Sequence, residues 1–438
     1  MEYINEIQQA ANDPQRLETL YRSAQKAGLV GKFSDDIQAC YKESPDNVLI
    51  AAWYYRLQGT PAEQAQRPNR AMTWLDAVPL ALLSGVLLGL LAGINQQFLN
   101  HMPYFVLFWS PIAASIAIVF LVVVAKGNYR RANLAIGLLI LAALYILLIA
   151  PTQASWYAQP YLDQMAIHLP LLAWIALGLT LLWLRSLVPD RFAFLIKSIE
   201  VAITAGLYLI AGVAFGVITI GLLQALSIQL PADWMQFLAG AGFGLIPILA
   251  IASIYDPHLP PSQQDFSQGL SKFIANMMRL LLPLTLAVLA IYVILIPFNF
   301  FQPFRNRDVL IVYNIMLFAV MGLLLGATPI LTDDLSPRLK SALRAGFLAV
   351  AGLAILVSLY ALSAILYRTF SNMLTMNRLI IIGWNVINIT ILGFLFYQVW
   401  RKGKEDWVQE AQAVFSRSML AYAVWDLFVI FAIPLIFR

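Results

Sequence analysis

PYFVLFWSPIAASIAIVFLVVVA, residues 103–125, followed at once by KGNYRR, residues 126–131, is the stretch that decides the fold. A run of 23 residues carries no charge, and three cations then fall within six positions. At about 1.5 Å per residue a helix of that length crosses a hydrocarbon layer about 30 Å thick. A helix also satisfies its own backbone polar groups within one segment, which lipid demands. Ten more segments have the same character. Upstream and just downstream lie Trp74–Gln96, Leu134–Ala150, Gln164–Leu184, Ser198–Leu226 and Met235–Tyr255. Towards the C-terminus come Leu280–Phe298, Val309–Leu331, Ala342–Tyr367, Leu379–Trp400 and Ser418–Phe437. The expected fold is therefore all-α, a polytopic helical membrane protein with about 11 transmembrane helices.

Composition agrees. Of the 438 residues, 61% are hydrophobic and 12% charged, against about 25% charged in soluble domains. The net charge of +5 sits in loops, and no basic face with interleaved aromatics suggests nucleic acid. Cys40 is the single cysteine, which rules out an internal disulfide framework and a thiolate metal cluster. Residues 1–70 are polar and helix-forming, so the first apolar segment is expected to act as an uncleaved insertion signal.

Lys and Arg set the orientation. Arg67 and Arg70 precede the first span; Lys126, Arg130 and Arg131 follow the second; Arg185, Arg191 and Lys197 follow the fourth. On the same side come Lys272 and Arg279, then Arg338, Lys340 and Arg344, and finally Arg401, Lys402, Lys404 and Arg417. The intervening loops hold only Arg305, Arg307, Arg368 and Arg378. The positive-inside rule places the N-terminus in the cytoplasm and the C-terminus outside.

Residues 1–73 are expected to form a small cytoplasmic helical domain, and residues 74–438 the transmembrane domain. Asp13-Pro14 reads as a capped helix start and Gly28 as its end; Ser34 and Ser44-Pro45 read as the starts of two further helices. The second would carry Phe33, Ile37, Cys40 and Tyr41 on one face, and the third Leu49, Ala52, Trp53 and Arg56. Ile37, Cys40 and Pro45 fall where a tetratricopeptide repeat places an aromatic, an alanine and a proline, so the hairpins weakly resemble such repeats, with bulky Phe33 at a usual small-residue position. One hairpin cannot bury its face alone; it would pack on itself, on the membrane domain or on a protein partner. Periodic apolar residues at 266–279 and 405–416 suggest amphipathic helices in the interface plane, or extensions of the spans that follow.

Within the spans, Asp426 lies about eight residues into the last segment, where a carboxylate costs at least about 2.5 kcal/mol on insertion scales. Asn385 and Asn388 share a face beside Trp384, and Asn314 adds an amide in the eighth span. Together they would line a polar path or simply tie helices together. Glu200, three residues after Lys197, reads as a surface ion pair. His101, His168 and His258 are scattered, so a metal site is not expected, and no cofactor is. Paired glycines four apart occur at Gly85/Gly89/Gly93, Gly212/Gly216, Gly240/Gly244 and Gly322/Gly326, a pattern for close helix packing. Pro111, Pro247, Pro283 and Pro329 would kink their helices or break them around a cavity. Walker, HExxH and G-x-S-x-G motifs are absent, and no enzyme is expected.

The segment Arg368-Thr-Phe-Ser-Asn-Met-Leu-Thr-Met-Asn-Arg378, with Trp384 downstream, resembles the motif R-x-x-Y-G-L-T-x-N-R of bacterial membrane proteins grouped as domain of unknown function 4153. Arg368, Leu374, Thr375, Asn377 and Arg378 match; Met373 stands for the glycine and Asn372 for the tyrosine. The resemblance covers residues 270–401 and implies a bacterial inner-membrane location, but no activity. As residues, Arg368 and Arg378 break the charge asymmetry by lying outside. They would cap helix C-termini, pair with Asp or Glu of a partner, or bind outer-leaflet phosphates.

The expected function is that of a transporter or permease-like protein for a small solute or lipid. The alternative is a non-catalytic scaffold or accessory subunit, binding a partner through residues 1–73 and exposing an apolar groove around Trp53 and Tyr54. A lipid-modifying enzyme ranks third, with few polar loop groups to serve it.

Overall fold

The computed structural model describes residues 3–26, 30–58, 70–94, 96–183, 186–266, 269–330, 335–403 and 406–437. Gly28 and the flanking cations Arg67, Arg185 and Lys404 lie outside the described residues. The chain divides into two compact units, Met1–Thr73 and Trp74–Arg438.

The first unit contains α1 (Ile4–Gln9), α2 (Pro14–Lys26), α3 (Val30–Glu43) and α4 (Val48–Gln58). Asp13 caps α2 by accepting from the Gln15 and Arg16 amides. Ser34 is not a cap, because α3 already begins at Val30. Nor does Ser44-Pro45 open α4; Asn47 does, its Oδ1 accepting from the amides of Leu49 and Ile50. The buried face of α4 is accordingly Ile50, Trp53 and Leu57. Helix α1 has no counterpart in the sequence reading, yet its Ile7 joins Leu17, Phe33, Ile37 and Trp53 in one core. Four helices thus bury a shared face without outside help, around the edge-on rings of Tyr3, Phe33 and Trp53. Among the described residues Trp53 lines no exposed groove, since it is 5% exposed, and Tyr54 stacks on Tyr41.

In the second unit eleven described helices are long and apolar enough to cross a membrane. They are Trp74–Ala92, Tyr104–Ala125, Tyr129–Thr152, Trp156–Leu182, Val188–Ala225 and Ala232–Ile254, then Gly269–Asn299, Val309–Ala327, Pro337–Asn372, Met376–Arg401 and Trp407–Ile436, called here the first to the eleventh span. Several overrun the apolar windows because polar residues extend the helix into the flanks. The fifth and ninth reach 38 and 36 residues. Residues 269–279 and 407–416 are the first turns of the seventh and eleventh spans, not separate helices. The apolar face of the latter, Trp407, Val408, Ala411, Val414 and Phe415, is buried among other spans.

Two large apolar cores organise these helices. One gathers the second, third and fourth spans around Leu139, Leu162 and Leu172. The other gathers the seventh, eighth and ninth around Leu289, Leu324 and Phe347. The tenth and eleventh spans belong to both: Met376 and Ile380 sit in the first core and Leu392 and Leu395 in the second, while Phe415 sits in the second and Val429 and Ile433 in the first. A third core joins the first, second and sixth spans through Ala81, Phe120 and Ile248.

Glycines make the first and sixth spans mesh. A Cβ on Gly240 would lie 2.7 Å from the Leu88 carbonyl, and one on Gly244 2.7 Å from that of Ser84. The other two pairs behave differently: Gly212, Gly216 and Gly322 have nothing within 4 Å, while Gly326 is covered by the Met278 side chain. Helices carrying Pro111, Pro247 and Pro283 run on unbroken, and Pro329 lies beyond the end of its span, so prolines do not break these helices. The interruption falls elsewhere, in a π turn at Phe428–Ala432.

Candidate functional site

The seam between the two large cores holds the polar residues. Spans four, eight, ten and eleven meet there because each offers an amide, a ring nitrogen or a hydroxyl to a neighbour. Asn385 on the tenth span donates through Nδ2 to Asn314 Oδ1 on the eighth and to its own Ile381 carbonyl. Asn314 in turn donates to the Leu310 carbonyl at 2.8 Å. One turn on, Asn388 donates to the Trp384 carbonyl at 2.9 Å and accepts from the Tyr422 hydroxyl at 2.6 Å. The expected proximity of Asn314 and Asn385 is therefore direct, and Asn388 is tied to the eleventh span instead.

His168 adds the fourth span. The Trp384 indole N–H donates to His168 Nε2 at 3.2 Å, and His168 Nδ1 lies 2.8 Å from the Gln164 carbonyl. An indole can only donate, so Nε2 accepts and the proton rides on Nδ1. Gln164 Nε2 then donates to Asn377 at 3.0 Å. A chain of contacts thus runs from Asn377 through Gln164 and His168 to Trp384, whose ring meets Tyr422 at 5.6 Å. Sequence reading missed Gln164 and Tyr422. Their signal was present, each lying four residues from a singled-out position, His168 and Asp426, on the same helical face.

Asp426 stands apart from this cluster. It is fully buried, and neither carboxylate oxygen has a hydrogen-bond partner among the described residues. Its neighbours in sequence face different ways: Tyr422 packs on the core of the seventh to ninth spans, and Trp425 on that of the second to fourth. Trp425 lies over Gly383, leaving no room for a side chain there. Two residues after Asp426 the helix widens into the π turn, whose Ile430 and Phe431 carbonyls accept from the hydroxyls of Tyr161 and Tyr145. Such π turns concentrate at functional sites because the displaced carbonyls become available to other donors.

Beyond Asn377, at the end of that chain of contacts, Arg368 and Arg378 line a cavity of about 350 Å³. Leu310, Ile311, Ile365 and Ile381 supply apolar walls, and Thr375 and Asn377 complete the polar part. Arg378 Nη1 donates to the Met373 carbonyl at 2.6 Å, closing the end of the ninth span. Arg368 has no such role; its Nη1 is buried without a hydrogen-bond partner among the described residues. Met373 adopts φ 80° and ψ 152°, a conformation that favours glycine.

Lys197 and Glu200 correct the sequence reading: they are not a surface pair. Both are buried, with Nζ 2.8 Å from Glu200 Oε2 and 2.7 Å from the Asp265 carbonyl. Ser271 donates to the same carboxylate at 2.8 Å. The segment before the seventh span folds over the pair and removes it from solvent. His101 likewise has a partner, Asp163, at 2.9 Å. No three His, Cys, Asp or Glu side chains converge among the described residues.

No family model, curated protein or solved structure matches the chain. Function rests on the site itself.

Proposed function

We propose that this is a permease-like integral membrane protein moving a small solute or lipid, with Asp426 at its working centre. One observation carries the reading: a carboxyl group enclosed in the bundle, without a hydrogen-bond partner among the described residues, on a span shared by the two large apolar cores. Intramembrane acids are costly and are retained where they meet a proton, a cation or a substrate. Permeases commonly work by rocking one bundle against another around a site at their junction. The hydrogen-bonded amides of the eighth and tenth spans have partners and serve as the fixed frame; Asp426 is the group left to act. The N-terminus is assigned to the cytoplasm and the protein to a bacterial inner membrane. Loop charge supports the first assignment, and the likeness to domain of unknown function 4153 supports the second.

Asp426→Asn tests this. In cells lacking the chromosomal copy, the wild type is expected to restore an altered solute or lipid profile, measured without preselecting the compound. Asp426→Asn should express and unfold like the wild type and fail to restore it. Full restoration by the variant ends the proposal.

A second reading, an accessory subunit, draws on the fifth span. From Gly206 to Ala225 that helix buries no residue against the rest of the protein, and Gly212 and Gly216 stand open. A co-purifying membrane protein at equal stoichiometry would favour it.

A further inference from the structure

We propose that the Arg368/Arg378 cavity binds a phosphoryl oxyanion, held by the two guanidinium groups, with its organic part against the aliphatic walls. The site does not involve Asp426, and the proposal stands or falls apart from the transport reading.

The first argument is unspent charge. Neither arginine meets a carboxylate among the described residues, and Arg368 Nη1 is enclosed with no acceptor. A cation with no counter-charge beside it is unfavourable, and the cavity that both arginines line is where an anion would fit. Arg378 spends one nitrogen on the Met373 carbonyl and keeps the rest of its fork. Planar guanidinium groups match the tetrahedral oxygens of phosphate in paired N–H···O contacts, which a lysine cannot do.

The second argument is shape. About 350 Å³ lies within the range of small-molecule pockets, about 300–1,000 Å³, and exceeds what a bare oxyanion fills. Leu310, Ile365 and Ile381 would leave the remaining space hostile to water and suited to carbon. Thr375, at the first turn of the tenth span, lines the same cavity, so that helix's N-terminus also favours an anion there. The ligand class is thus a phosphate ester, from either an anionic phospholipid headgroup or a soluble phosphate.

The test uses the full-length protein purified in detergent, with native mass spectrometry of bound ligand. The probes are dioleoyl-phosphatidylglycerol, dioleoyl-phosphatidylcholine and inorganic phosphate. The wild type is expected to hold phosphatidylglycerol in preference to phosphatidylcholine. The double variant Arg368→Gln/Arg378→Gln should bind it about tenfold more weakly or worse, the loss of at least one charge-assisted contact. Arg305→Gln, outside the cavity, should bind as the wild type does. If inorganic phosphate displaces the lipid, or alone binds in an arginine-dependent way, the soluble source is identified. Should the double variant not fold, Ile381→Trp, which fills the cavity with both arginines kept, is expected to give the same loss. Binding unchanged in both variants, or lost equally in Arg305→Gln, overturns the proposal.

Discussion

Gly244 and Gly242 lie two residues apart in the sixth span, and replacing each by alanine should have opposite consequences. A Cβ at Gly244 would lie 2.7 Å from the Ser84 carbonyl and 2.9 Å from the Gly85 Cα, where ordinary contact begins at 3.4 Å. Both neighbours are backbone, so no side chain can turn aside. The first and sixth spans would have to part by about 0.7 Å along their line of closest contact, the shortfall between those distances. Overpacking of this kind costs about 1–3 kcal/mol. Gly242 has nothing within 4 Å, and alanine there falls within the about 0.5 kcal/mol typical of open sites or gains a little from helix propensity. Unfolding of the full-length protein by sodium dodecyl sulfate, followed by near-ultraviolet circular dichroism at fixed detergent, reads the difference. Gly244→Ala is expected to shift the midpoint down by an amount matching 1–3 kcal/mol, and Gly242→Ala to leave it in place. Equal midpoints, or equal losses in the two variants, would refute the packing argument.

The buried pair of Lys197 and Glu200 should be expensive to break from one side. Lys197→Met or Glu200→Leu alone is expected to cost about 3–5 kcal/mol in the same unfolding assay, and the double substitution clearly less than either. Costs that simply add would show the two groups to be independent. In the first unit, burial above all, then the negative charges of Glu43 and Asp36, pushes the Cys40 thiol above its ordinary range. The unfolded chain ionises first as pH rises past about 8.5, so the contribution of the protonated thiol to stability is complete below that pH and lost above it. Maleimide at pH 8 should therefore label the native protein far more slowly than the unfolded chain, and equal rates would contradict the burial.

The number and order of the spans were legible because uncharged windows of helical length are the strongest signal a membrane chain carries. Their ends were not. Segments such as 269–279 and 407–416 hold enough polar residues to look like surface helices, and only the structure shows them running without a break into the spans that follow. Glycine spacing was visible in four spans but could not say that Gly240 and Gly244 find a partner while Gly212 and Gly216 do not; that depends on which helices are adjacent. Likewise the shared face of Asn385 and Asn388 follows from spacing, whereas the bond from Tyr422 to Asn388 depends on how the eleventh span crosses the tenth. Lys197 and Glu200 looked exposed because their spacing is that of a helix surface. The residues that bury them, Asp265 and Ser271, lie about seventy positions away. In α4 the error was local: Asn47 outcompetes Ser44 because its side chain reaches two amides of the helix that follows.

Water access to position 426 tests the central claim most directly. Cys40 is the only cysteine, so Cys40→Ser/Asp426→Cys carries a single thiol at the seam. Position 426 is enclosed in the structure, and a permease must open it. A water-soluble maleimide applied to intact membrane vesicles is expected to label this thiol slowly and completely, from one face or the other. A thiol that reacts only after the protein is denatured would show a seam that never opens, and the permease account would be wrong.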